Sequence, residues 1–123
     1  MPRPETDAAR AAANRIAIAG KLLERGGLRY TPAGVPAIEF RLGHESEQIE
    51  ADKPRRVECE IACIALGAKA LLLKDAAPGD AMELTGFLAA KSVKSRSPVL
   101  HVTNIEFLEG NENGFQTEKQ VCR

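Results

Sequence analysis

The segment KSVKSRSP, from Lys91 to Pro98, carries three cations and no carboxylate between two strand-like runs, TGFLAA and VLHVTNIEF. Clustered Lys and Arg side chains with serines between them are suited to phosphate groups, through charge and through neutral hydrogen bonds. The segment therefore predicts a phosphate-binding loop built on Lys91, Lys94 and Arg96. The alternative is a solvated hairpin tip whose lysines protect a sheet edge from aggregation.

The charge of the whole chain does not account for this local excess. Seventeen basic and seventeen acidic side chains cancel, so the formal net charge of the 123 residues is zero. Any affinity for a polyanion must then come from a local patch rather than from a global field. A hydrophobic fraction of 44% is typical of one globular domain.

Several classes of function find no support in the sequence. No apolar run approaches the roughly 18 residues of a membrane span, and the N-terminus lacks the apolar core of a signal peptide. We therefore expect a cytoplasmic protein that does not enter a membrane. No phosphate-loop, dinucleotide, zinc-protease or nucleophile-elbow motif is present. His44 and His101 are interpreted as hydrogen-bonded structural residues without a third metal ligand, so the sequence predicts no catalytic residues, no metal and no cofactor.

Alternation of apolar and polar residues predicts an all-β fold of five strands. The first begins at Asn14, and the others cover residues 38–42, 57–66, 82–88 and 99–108. Residues 44–55 are interpreted as a polar loop, and residues 67–75 as one short helix between the third and fourth strands. This order matches a five-stranded OB-fold barrel, in which the loop joining strands four and five flanks the nucleic-acid face.

The domain boundaries follow from the same pattern. Residues 14–109 are predicted to form the OB-fold domain, between a flexible N-terminal arm (1–13) and a disordered C-terminal tail (110–123). A small barrel leaves sheet edges that are costly when unpaired. We therefore expect a homodimer formed through a sheet.

Five segments of the chain resemble the family of primosomal replication protein N, the PriB family. They are NRIAIAG, LRYTPAGVP, FRLGHES, PGDAMELTGFLAA and VLHVTNIEFLE, and together they extend from Asn14 to Glu109. The resemblance implies a homodimeric OB-fold that binds single-stranded DNA without sequence specificity. It also implies a role in restarting stalled replication forks with the PriA helicase and, in some bacteria, DnaT.

The chain departs from the family pattern at two places. Glu58 stands where enterobacterial members have a tryptophan on the third strand, and the basic loop is slightly shorter than theirs. The resemblance nevertheless implies phosphate contacts at Lys91, Lys94 and Arg96. By family position it also implies a contact at Arg55, which we group with the adjacent Arg56.

The remaining candidates concern the first loop, the second strand and base stacking. Arg29 and Arg41 are candidate DNA contacts, with ordinary surface charge as the alternative. Tyr30 is the best candidate for stacking on a base, a contact that single-strand binders commonly use. Phe87 is out of phase with the apolar residues around it. A bulge at Gly86 that turns Phe87 inward is favoured over exposure on the open face.

Two other functions fit the same pattern. One is a protein-interaction module whose OB face binds a helicase partner and has little DNA affinity, an alternative that Glu58 keeps open. The other is an RNA-binding OB domain, which would prefer a ribose 2′-hydroxyl.

Overall fold

The structure, a computed structural model, describes residues 7–108, which form six strands and two short helices. In chain order these are α1 (Asp7–Ala12), β1 (Ile16–Arg25), β2 (Arg29–Tyr30), β3 (Pro36–Glu50), β4 (Lys53–Leu66), α2 (Ala68–Leu73), β5 (Ala81–Ala90) and β6 (Pro98–Phe107). Within this range no helix is long and apolar enough to cross a membrane.

Five of these strands close into a barrel. β1 pairs antiparallel with both β5 and β3, β5 with β6, and β3 with β4, while β4 and β6 close the barrel through a parallel pairing. α2 lies between β4 and β5 in the chain, as predicted, although it is shorter than residues 67–75. The predicted OB-fold barrel is therefore confirmed.

The core consists of the inward-facing residues of all five barrel strands together with α2. Its largest fully buried side chains are those of Leu22, Ile38, Leu42, Leu73, Met82, Leu84, Leu100 and Cys63. Phe40 is 3% exposed, which confirms its assignment to the core. Since strand side chains alternate between the two faces, their outward neighbours on β3, β4 and β6 form the outer surface on which a site can be built.

Glycine allows neighbouring strands of the barrel to approach closely at two places. A Cβ atom on Gly20 of β1 would lie 2.1 Å from the carbonyl oxygen of Gly43 on β3. A Cβ on Gly86 would lie 2.0 Å from the carbonyl oxygen of His101 on the neighbouring strand. A side chain at either position would therefore collide with backbone.

The prediction that Phe87 turns inward is wrong. β5 keeps its alternation without interruption, so Gly86 is buried and Phe87 points outward with 40% of its surface exposed. The irregularity of the β5–β6 ladder lies on the other strand. Thr85 pairs with Asn104 and Gly86 with Val102, so the extra residue belongs to β6.

The polar loop predicted at residues 44–55 is also wrong, because most of it belongs to a long hairpin. β3 runs on to Glu50, β4 begins at Lys53, and the two pair without interruption up to a two-residue turn. Ala51 and Asp52 form that turn with φ angles of 53° and 66°, the left-handed values that tight hairpins favour. Both faces of this extension are mostly polar, so its sequence has no apolar alternation to mark it as strand.

Part of the predicted N-terminal arm is helical. α1 occupies Asp7–Ala12, and none of its residues is buried. Residues 1–6 of the predicted arm and the whole predicted tail, 110–123, lie outside the described residues, and the domain boundaries stay predictions.

Candidate nucleic-acid interface

The basic segment forms an ordered loop, residues 91–97, between β5 and β6. The backbone N–H of Lys91 donates to the carbonyl of Ser97 at 2.9 Å, which closes the base of the loop. Inside it, the N–H of Ser92 donates to the Ser95 carbonyl at 3.0 Å, and the N–H of Ser95 donates to Ser92 Oγ at 2.9 Å. These bonds form a tight turn that presents Val93 and Lys94 at its tip.

The three cations of this loop are exposed and available for an external anion. Across residues 7–108, no salt bridge includes Lys91, Lys94 or Arg96. No Asp or Glu occurs between Leu84 and Ile105 to neutralise them from within the hairpin. Their charge is therefore directed into solvent.

The four other predicted cationic contacts all have carboxylate partners. Their N–O distances are 2.6 Å for Arg29–Glu39, 2.5 Å for Arg41–Glu60, 3.4 Å for Arg55–Glu50, and 3.2 and 2.9 Å for Arg56 with Glu45 and Glu58. The side-chain hydrogen bond from Arg41 to Glu60 raises the pKa of Arg41, and the bond from Arg56 to Glu58 raises that of Arg56. A phosphate at any of these arginines would have to compete with a carboxylate already in place.

An open groove of about 680 Å³ runs beside the loop along the outer face of β3 and β4. The loop contributes Lys91, Ser95 and Ser97 to its wall. The rest of the lining comes from residues of β3, β4 and β6 and from the end of β1: Glu24, Arg25, Gly26, Glu39, Phe40, Arg41, Ala62, Cys63, Ile64, Pro98, Val99 and His101. This is the surface on which OB-folds bind oligonucleotides.

The structure brings together only some of the predicted site residues. Lys91 and Arg41 line the same groove, and Lys94 and Arg96 belong to the loop at its side. Arg29 does not itself line the groove, but it forms an ion pair with Glu39, which does.

Three predicted residues lie away from the groove wall. Tyr30 is 61% exposed on the short edge strand β2, where it pairs with Pro36. Arg55 and Arg56 lie on the hairpin extension. Arg56 is six residues along β4 from Ala62, or about 20 Å at the usual rise of a strand.

Two groove residues that could contact a nucleic acid, one by charge and one by its ring, were not among the predicted contacts. Arg25 lines the groove and donates from Nε to the Ala76 carbonyl at 2.7 Å, so part of its guanidinium is engaged in the fold. His101 lines it too, and its ring stacks on Phe87 with centroids 5.2 Å apart and planes 8° apart. Outward alternation on β6 could have placed His101 on this face, whereas nothing in the sequence brings Arg25 beside the loop.

The position of Glu58 makes the hairpin surface acidic at the place where enterobacterial members of the family have a tryptophan. Glu58 is exposed on β4, directly opposite Glu45 on β3, and Arg56 bridges both carboxylates.

His44 lies on the other face of the hairpin, where Nδ1 donates to the Ala19 carbonyl at 2.6 Å and Nε2 lies 2.8 Å from Ser46 Oγ. This bonding confirms the structural interpretation of His44.

Comparison with known proteins agrees with the geometry of the barrel and its groove. The model of a family described as "another single-strand binding protein family" matches residues 14–104. A single-stranded DNA binding protein from Thermus aquaticus shares the fold, with a TM-score of 0.64 over 79% of this chain and 50% of that one, at 24% identity.

More similar proteins narrow the family. Replication restart protein PriB of Bordetella pertussis is 44% identical over 98 residues, which cover 80% of this chain and 92% of the relative. The crystallised PriB of Ralstonia solanacearum is 37% identical, with a TM-score of 0.69 over 77% of this chain and 98% of that one. The chain therefore belongs to the PriB family, as its sequence motifs indicated. Membership of this family also agrees with the prediction of a binding protein rather than an enzyme.

Proposed function

We propose that the protein binds single-stranded DNA without sequence specificity and assists the PriA helicase in restarting stalled replication forks, with no catalysis of its own. The observation that carries this proposal is the exposed loop cations, free of carboxylate partners within residues 7–108, beside a groove on the outer face of an OB barrel. The names of the relatives, replication restart protein PriB, support the same role.

The chemistry of the groove suits a single strand. Lys91, Lys94 and Arg96 contact phosphates by charge, and the serines of the loop add neutral hydrogen bonds. The groove floor contains Ala62 and Ile64, which offer apolar contact but no hydrogen-bonding groups that could read a base edge. Binding of this kind depends on the backbone and on base faces, and is therefore tolerant of sequence.

The remaining candidates extend the contact to both sides. Arg41 lines the groove, and Arg29 is ion-paired to the groove residue Glu39. Both arginines bind phosphate once their carboxylate partners are displaced, while Tyr30 stacks on a base beyond them. Arg55 and Arg56 take part only when a strand is long enough to follow β4 along the hairpin.

A homodimer is part of this proposal, and β1 offers an edge for it. Ile16 to Gly20 pair only with β5, while β1 does not meet β3 until Lys21. By contrast, the Asn14 side chain occupies the edge of β5, donating to and accepting from the backbone of Leu88 at 3.0 Å. Sedimentation equilibrium should give twice the monomer mass of 13.3 kDa at micromolar concentration, whereas a mass of 13.3 kDa would refute the dimer.

A second candidate function is a protein-interaction module, and the acidic hairpin favours it. The face that carries Glu45 and Glu58 repels a phosphate backbone but suits a basic partner surface. In this case the helicase, or DnaT where it exists, binds the OB face and DNA is only a minor ligand.

One titration separates these functions. Fluorescently labelled oligo-dT and oligo-U of equal length are titrated with the protein, with and without PriA helicase. The proposed function predicts salt-dependent binding of oligo-dT by the protein alone, at least as tight as that of oligo-U. Binding that requires the helicase would favour the interaction module, and a strong preference for oligo-U would favour an RNA-binding domain.

A further inference from the structure

An aromatic pair stands beside the groove on the outer surface of the barrel. Phe87 of β5 and His101 of β6 are directly opposite in the ladder, and their rings are nearly parallel. His101 is in turn adjacent to Ile64 on β4. These three residues form a row across three strands that we call the stacking row.

The geometry places the imidazole at the groove, between Phe87 on β5 and Ile64 on β4. The centroid separation of 5.2 Å is close to the spacing of neighbouring strands, about 4.8 Å, so the two rings stand side by side like parallel plates. Phe87 covers the face of His101 that is turned toward β5. The opposite face is turned toward β4, where Ile64 is the neighbouring residue, and the ring lines the groove.

The surroundings of the imidazole suit a nucleobase. Ile64 and the small Ala62 form an apolar floor next to it. His101 lies three residues along β6 from Pro98, about 10 Å from the end of the basic loop. A base at this position has its flat face against a ring while its phosphates face the cations.

We propose that His101, held by its stack on Phe87, is a base-stacking site for single-stranded nucleic acid in the groove. This inference rests on the proposed function and adds to it the contact that holds a base. It also gives an aromatic stacking surface to a chain with no tryptophan and with Glu58 on the third strand. A pair that served only to stabilise the sheet would leave binding unchanged when it is removed.

The test compares His101→Ala, His101→Phe and the parent on oligo-dT and on an abasic oligonucleotide of the same length. Loss of one base stack should weaken oligo-dT binding by at least about 5-fold, with the salt dependence unchanged. His101→Phe should restore the affinity, because it keeps a flat ring. On the abasic strand, His101→Ala should bind as the parent does, because no base is present to stack. His44→Ala, at a histidine outside the groove, is the matched control and should bind as the parent does.

A second variant and a second measurement distinguish loss of stacking from loss of folding. Phe87→Leu keeps an apolar side chain but removes the ring that supports His101, and should lower affinity for oligo-dT while thermal unfolding stays cooperative. 2-Aminopurine placed in the oligonucleotide should be quenched by the parent and less so by either variant. Parent-like affinity and quenching in both variants would refute the stacking site alone. Absence of salt-dependent oligo-dT binding by the parent would refute the proposed function, and the stacking site with it.

Discussion

Removal of the three loop cations tests the proposed phosphate contacts most directly. The variant changes Lys91, Lys94 and Arg96 to Ala together. Because no carboxylate within residues 7–108 pairs with these side chains, the substitutions remove their charge without exposing an orphaned partner. The loop keeps its shape, since the hydrogen bonds that define it come from backbone groups and Ser92.

The magnitude follows from counterion release. Each phosphate contact on a single strand contributes about 0.7 to the slope of log K against log salt concentration. Three contacts contribute roughly two units. Between about 50 mM and 200 mM salt, a fourfold change, the parent should therefore lose roughly 20-fold more affinity than the variant.

The assay is fluorescence anisotropy of labelled oligo-dT over a series of salt concentrations. The matched control changes Lys53, Lys69 and Lys74 to Ala. It removes the same charge from the hairpin, from α2 and from the residue that follows α2, none of which lines the groove. Its slope should stay close to that of the parent. The free energy of unfolding of the loop variant should stay within about 0.5 kcal/mol of the parent, as is usual for exposed loop side chains.

A loop variant that binds oligo-dT with the parent's salt slope would contradict the proposed phosphate contacts. In that case residues 91–97 are a solvated hairpin tip, and the interaction module becomes the leading function. An equal fall in slope for the control would mean that total charge, rather than this loop, sets the salt dependence.

Three further predictions concern stacking, a buried thiol and a close backbone contact. Tyr30→Ala should weaken oligo-dT binding about 5-fold or more at every salt concentration with an unchanged slope, and parent-like affinity would remove Tyr30 from the site. Burial raises the pKa of the Cys63 thiol from 9.0 to about 12, so the thiol stabilises the fold below pH 9 and loses that contribution as the pH rises toward 12. The stability difference between the parent and Cys63→Ala, measured by urea unfolding, should therefore narrow over that range, and a constant difference would contradict the raised pKa. Gly86→Ala should lower the free energy of unfolding, measured in urea, by about 2–3 kcal/mol, because the added Cβ would meet the His101 carbonyl. Gly27→Ala, which has open space around it, should lower it far less. Equal losses of stability in the two variants would refute the steric explanation.

The barrel could be predicted from sequence because its strands bury one face. Runs such as Ile38, Phe40 and Leu42 alternate with charged residues, and that alternation carries over directly into inward and outward positions. The spacing of these runs also predicted the basic loop and the helix that connects β4 to β5. These were the elements whose positions depend on local pattern.

The hairpin extension and Phe87 could not be predicted for a common reason. Each depends on pairing across strands, which leaves no local apolar signal. The polar residues from His44 to Glu50 are held as strand by the ladder to β4 and by ion pairs such as Arg56–Glu45. Phe87 stays outward because the extra residue of the ladder lies on β6 rather than at Gly86.

The ion pairs also explain how a chain with zero net charge can bind a polyanion. The hairpin matches its arginines with glutamates, so the fields of Arg55 and Arg56 are cancelled close to their source. The β5–β6 loop has cations without such partners, and its field extends over the neighbouring groove. Net charge therefore says little about where nucleic acid binds, because the placement of carboxylates decides which cations remain available. On this view Glu58 does more than replace a stacking residue, since it pairs with Arg56 and confines the favourable potential to the loop side of the barrel.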